Sequence, residues 1–373
     1  MSPRPVPPVP AGAGDRSAAA RPAAPARVAT PRRSAAPRRS AAARASRVAA
    51  VLPVAAVVLL LAGCGGAAAP APETPAERPA VSRDVAALEP ALSVTDPRGT
   101  TVTVPAPPTR IVCLTGLCDD MVVELGLTPA GTSTPALLEN PVLLGERAAQ
   151  VPTVAGSFGS EDVESIAALR PDLVIGLGGV HEPLRAAVER FAPLWLVQPG
   201  TWEESVGYLR NLGSLTGRTA ETTAGEQRFR TTLADGVEQA RATGRADRRV
   251  LLMYGSADTI GVDTTDTVNG NLLATLYDYP FVPRGADVET ASTYSVEEIL
   301  AQAPDVVFAY SLLFSSADRT LTDQLADNPV WQQVPAVAAR QVHEMDPRLW
   351  GSGRGTRSLG AIVTQSLAAV PGR

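Results

Sequence analysis

The chain has 373 residues, 33 basic and 38 acidic, for a net charge of −5, with 45% hydrophobic and only 4% aromatic residues. Residues 1–63 hold ten of the arginines and one of the acids, so the remainder carries 23 basic and 37 acidic side chains, a net of −14. That balance lacks the basic footprint of a nucleic-acid binder, and two distant histidines with three cysteines do not make a metal cluster.

In chain order, residues 1–47 are rich in Ala, Pro and Arg and lead into the apolar run Val51–Leu61. A basic start, a short apolar core and small residues before a cleavage point are the parts of a secretory signal. The run contains Pro53 and falls short of the roughly 20 residues of a membrane span. Leu61-Ala62-Gly63-Cys64 resembles a bacterial lipoprotein signal, in which residues 1–63 are removed and Cys64 takes lipid. The mature protein is then expected outside the cytoplasm, anchored to the cell membrane. Residues 64–91, rich in Ala, Pro and Glu and without apolar periodicity, read as a flexible tether.

Residues 92–200 read as an α/β lobe. Short apolar strands are expected at 110–114, 173–177 and 194–197, with helices at 118–125, 163–169 and 184–191. All-apolar strands suit a parallel sheet covered on both faces. Ser160 and Asp162 are candidate N-caps for the helix at 163. Residues 201–245 lack strand signals: one helix is expected over 202–215 and a second over about 219–242, the latter spanning over 30 Å at 1.5 Å per residue and able to link two lobes. Residues 246–373 repeat the grammar of the first lobe, with strands at 250–254 and 306–310 and helices at 271–277 and 296–301. Both halves contain an acid, a short helix, Pro-Asp and an apolar strand: Glu164 to Ile175 and Glu297 to Phe308. The expected fold class is therefore α/β, two Rossmann-like lobes. Cys113 and Cys118 are a candidate disulfide in an oxidising compartment; the alternative is two small buried hydrophobes.

Four stretches, 110–133, 151–179, 295–311 and 328–350, resemble in order the substrate-binding proteins of ABC importers for ferric siderophores, haem and cobalamin. The resemblance implies two lobes joined by one long helix, a ligand cleft between them, and no enzymatic activity. It implies a monomer that delivers a ferric siderophore to an ABC permease and, through it, its ATPase. Iron would be held by the siderophore, so no protein metal site or cofactor is expected. Glu164 and Glu297 match the surface acids that dock such proteins on permease arginines. Acids in a first helical turn are also favoured by the macrodipole alone.

The ligand crevice of open α/β sheets lies off the strands' carboxyl ends. Together with the chemistry of an anionic, bulky chelate, this selects Arg348, Trp350, Arg354 and Arg357 in a Gly-rich run, then Tyr254, Phe158, His181 and Trp202. A cobalamin or haem binder of the same class is the alternative, haem with His181 or a tyrosine as axial ligand. A ligand sensor, or an enzyme on a similar scaffold, is a more distant one. A hydrolase elbow and a phosphate-binding Gly-x-Gly-x-x-Gly loop are both absent from the sequence.

Overall fold

The computed structural model describes residues 80–284, 292–311 and 318–373. The signal, Cys64 and the tether up to residue 79 lie outside the described residues.

Lobe one is built on a four-stranded, all-parallel sheet of β3 (Ile111–Cys113), β4 (Gly131–Thr132), β7 (Leu173–Leu177) and β8 (Leu194–Val197), in the order β4-β3-β7-β8. Side chains alternate across it. Ile111, Cys113, Leu173, Ile175, Trp195 and Val197 enter one core, while Val112, Leu114, Val174 and Leu194 enter the opposite one, as a strand period of two requires. Two hairpins escape the sequence reading: β1 (Ser93–Thr95) with β2 (Thr101–Thr103), and β5 (Gly156–Ser157) with β6 (Ser160–Glu161). Lobe-one helices are α1 (Gly116–Glu124), α2 (Pro135–Leu138), α3 (Val163–Ala168) and α4 (Arg185–Val188). Asp162, not Ser160, caps α3, its carboxylate accepting from Glu164 N at 2.9 Å.

The chain then crosses through α5 (Trp202–Thr216) and α6 (Thr219–Ala242). Gly217, at φ 69°, ends α5 in the left-handed region. The 24 residues of α6 span about 36 Å. The first half of α6 lies against α5 and α1, with Gly225 over Glu124. From its middle onward it gives Phe229, Leu233, Val237 and Ala240 to the core of lobe two. The helix thus touches both lobes.

Lobe two has the sheet order β10-β9-β11-β12, from β9 (Val250–Ser256), β10 (Thr259–Val262), β11 (Val306–Ser311) and β12 (Val342–Glu344); β10 is antiparallel and the rest parallel. Its helices are α7 (Val268–Leu276), α8 (Val296–Gln302), α9 (Leu321–Leu325), α10 (Pro335–Ala338), α11 (Pro347–Ser352) and α12 (Thr356–Ala369). A capping box at Ser295 and Glu298 starts α8.

Residues 80–91, assigned by composition to the tether, run along α5 and α6 without helix or strand of their own. Their carbonyls are held by side chains: Ser82 O by Arg230, Arg83 O by Gln227, Ala86 O and Ala87 O by Arg210, and Glu89 O by Ser214. Val81 packs on the core of lobe two, and Ala91 N donates to Ser214 O at the lobe-one end. Among the described residues no helix is long and apolar enough to cross a membrane.

Candidate functional site

The carboxyl ends of all four lobe-one strands converge on a cleft shared with lobe two. Thr115, Gly116 and Leu117 follow β3, Thr134 follows β4, Phe158 is at the β5–β6 turn, Leu177 ends β7 and Pro199 follows β8. Gly351, Ser352 and Arg354 face them from the end of α11. The space measures about 180 Å³. The lobes touch at its base, where a Cβ on Gly116 would stand 2.4 Å from Ser352 O, so only glycine fits there. A shallower groove of about 430 Å³ lies on lobe one alone, between the β1–β2 hairpin and residues 185–194. Its cation, Arg185, is paired with Glu189 at 2.6 Å, and that groove lies away from the converging strand ends.

Cys113 and Cys118 are bonded, with their Cα atoms 5.3 Å apart. The bridge ties the end of β3 to α1 and so holds the Thr115–Leu117 turn at the cleft floor. Thr115 is the N-cap of α1 but its side chain makes no capping bond. The amino end of that helix, with its partial positive charge, opens on the cleft.

The structure sorts the sequence-selected residues. Arg354 and Phe158 line the cleft. Phe158 is 59% exposed. Arg354 is half-buried, and its Nη1 donates to Trp350 O (3.1 Å) and Gly353 O (2.9 Å). Tyr254 is half-buried and stacked on Tyr310, with centroids 5.2 Å apart.

Trp350 requires a correction as a cleft wall. Residues 347–352 form a helix, not a loop, and its inward side carries Trp350 into the core, fully buried against Phe308, its Nε1 donating to Gln365 Oε1. Trp202 is likewise buried, its indole edge on Phe229 and its Nε1 donating to Thr275. His181 is wholly buried; Nδ1 accepts from Leu177 N and Nε2 meets Glu161 Oε1 at 3.1 Å, so both ring nitrogens are engaged. Arg348 is exposed and bridges to Glu139 of the other lobe at 3.5 Å. Arg357 lines a separate groove beside α6, donating to Val142 O. Glu164 and Glu297 are exposed in the first turns of α3 and α8.

Asp263 was absent from the residues selected, while its partner Tyr310 stands at a strand end, where the crevice rule places cleft candidates. Asp263 is buried, accepts from Tyr310 Oη at 3.2 Å, and is pushed above the usual carboxylate range by burial, with the nearby Arg354 charge opposing that rise. It lies near enough to Arg354 for the two charges to interact, without a direct ion pair between them among the described residues. Its one sequence signal is an acid closing the apolar run Ile260–Val262. Among the described residues no group of three or more His, Cys, Asp or Glu is placed to hold a metal ion.

A family model for periplasmic binding proteins matches residues 111–349. The Fe(3+) dicitrate-binding periplasmic protein FecB of Escherichia coli (strain K12) is 25% identical, over 71% of this chain and 85% of that protein. The Fe(3+)-citrate-binding protein YfmC of Bacillus subtilis is 23% identical, over 69% of this chain and 79% of that one. The crystal structure of the petrobactin-binding protein YclQ from Bacillus subtilis superposes with a TM-score of 0.62 at 18% identity, covering 75% of this chain and 99% of that one, and so shares the fold.

Proposed function

Because this chain belongs to the periplasmic binding protein family, a family of carriers rather than enzymes, we propose that it captures a ferric siderophore outside the cytoplasm and delivers it to an ABC permease, anchored by lipid on Cys64 and acting as a monomer. The favoured ligand is a chelate whose carboxylates remain partly free, of the citrate type. The observation that carries this reading is Arg354 and the open amino end of α1 sharing one cleft. Both attract an anion. Thr115 and Ser352 line the same space and bring hydroxyls able to form neutral hydrogen bonds, while Thr134 donates its own to Asp119, and Phe158 supplies an apolar face. Two relatives named for ferric citrate support the same ligand class.

Delivery rests on Glu164 and Glu297. A helix that leads into a parallel strand begins at that strand's carboxyl edge, where the cleft opens. Both acids therefore stand at the cleft-side rim, one on each lobe. Paired carboxylates there suit an arginine-bearing permease surface.

Residues 65–373, titrated calorimetrically with ferric citrate, a ferric hydroxamate, a ferric catecholate, haemin and cobalamin, test the ligand. Saturable binding of ferric citrate is expected, with affinity reduced at least about tenfold by Arg354→Ala, the loss of one charge-assisted contact. Binding of haemin or cobalamin alone overturns the reading. Glu164→Arg with Glu297→Arg should leave that binding intact and abolish uptake by cells.

A further inference from the structure

The aromatic face that lobe one offers to the cleft stands on weak ground of its own. Phe158 is at the tip of a hairpin with two residues per strand, too few pairs to be stable unaided. The tip is anchored from below. Glu161 Oε1 accepts from Gly159 N at 3.3 Å and from His181 Nε2 at 3.1 Å. His181 Nδ1 accepts from Leu177 N at 2.8 Å, which leaves the ring proton on Nε2, directed to the carboxylate. The imidazole meets the Phe158 ring edge-to-face, centroids 5.3 Å apart at 88°.

His181 is 0% exposed and Glu161 5%. Glu161 Oε2 has no hydrogen-bond partner. A buried polar pair with an unsatisfied oxygen is a poor source of stability, because apolar residues of similar volume serve as well or better. Its gain is geometric: fixed bond directions that a greasy contact lacks. We infer that His181 and Glu161 are positioning residues that hold Phe158 at the cleft wall, acting on the ligand only through that ring. The inference rests on the cleft being the ligand site.

The test is a double-mutant cycle read with ferric citrate. Glu161→Leu with His181→Phe fills the space and should keep the unfolding temperature within a few degrees while lowering affinity about tenfold. In a Phe158→Ala background the same pair should change affinity less than twofold. Unchanged affinity, or equal loss in both backgrounds, overturns the proposal. A second readout needs no ligand. With tryptophan at position 158 (Phe158→Trp), the fluorescence anisotropy of that site, taken against the chain lacking it, should fall when the pair is replaced. If the parent protein does not bind ferric citrate, the ligand reading fails and the anisotropy alone decides, an unchanged value sinking the positioning role. If the paired replacement does not fold, Glu161→Ala is read in its place by the same measurements.

Discussion

The two lobes meet on opposite sides of α1, and the two contacts treat the same physical problem differently. Each side presents a helix amino end with backbone N–H groups that its own N-cap side chain leaves unserved. On the far side that helix is α12, whose N-cap is Gly355. Lobe one supplies the missing cap: Asp120 accepts from Ser358 N (2.8 Å), Ser358 Oγ (2.6 Å) and Arg357 N (3.1 Å). A Cβ on Gly355 would stand 2.4 Å from that carboxylate. Glu124 completes the seam, taking Thr356 Oγ1 at 2.9 Å and Arg228 Nη2 at 2.5 Å. On the cleft side the helix is α1 itself, and among the described residues no hydrogen bond from a side chain of the other lobe caps it. One junction is closed by side-chain bonds across the lobes; at the other the helix end faces the cleft, and the two stand on the same nine-residue helix α1.

Four experiments break or sharpen that contrast, the largest effect first. Asp119 lies between the two junctions, accepting from Thr132 and from the cleft residue Thr134. Burial is the main cause that raises its pKa from 3.8 to about 8, against the opposing hydroxyls. The native state therefore keeps a proton that the unfolded chain gives up. Its contribution to stability is full below about 3.8 and lost as pH climbs through 8, a span linked to several kcal/mol. Urea unfolding should show stability declining from pH 5 to 8, with Asp119→Asn flattening the slope. A slope that survives Asp119→Asn would place its origin elsewhere. Asp120, raised to about 6 by burial, adds a drift of the same sign below pH 6.

Next comes the seam. Asp120→Ala removes a cap and strands two buried N–H groups, a loss of about 3 kcal/mol. Thr115→Ala at the cleft, where the side chain caps nothing, should change stability by about 0.5 kcal/mol or less. Equal losses would erase the distinction between the two junctions. Replacing both Cys113 and Cys118 by Ser should cost about 2 kcal/mol and weaken ligand binding through the loosened turn at 114–117, measured by calorimetry with and without reductant. The smallest effect is on the strap. Arg210→Ala with Gln227→Ala should cost about 1 kcal/mol, speed proteolysis within 80–91, and leave ligand affinity within twofold.

Much of the architecture was legible in the residues. The strands at 173–177 and 194–197 and the long helix at 219–242 have the bounds read from apolar runs and the absence of Pro. Strong local pattern and tertiary packing agree there. The misses are places where pattern is thin or ambiguous. The short strands β5, β6 and β10 lack the continuous apolar run that made β8 legible at four residues: β5 and β6 are Gly-Ser and Ser-Glu, and β10 is broken by Thr259 and Gly261. The Gly-rich run at 348–357 was assigned no helix, yet it splits between the end of α11 and the start of α12, which turned Trp350 from the cleft to the core. Arg354 and Phe158, which line the cleft, were legible from side-chain chemistry beside glycines and not from a strand end, since Arg354 follows α11 and Phe158 lies in a hairpin turn.

The amino-acid sequence by itself determined two α/β halves, a long joining helix and the family to which the chain belongs, because apolar periodicity and helix-breaking residues act over a few neighbours at a time. Only the tertiary structure decided which side chains reach the cleft. Asp120 caps a helix 237 residues away, Asp263 is buried near enough to Arg354 for their charges to interact, and His181 lies against Phe158, wholly buried instead of lining the cleft. Such pairings join residues far apart along the chain, across the lobes in the first case and within one lobe in the other two, and sequence pattern of short range carries no record of them.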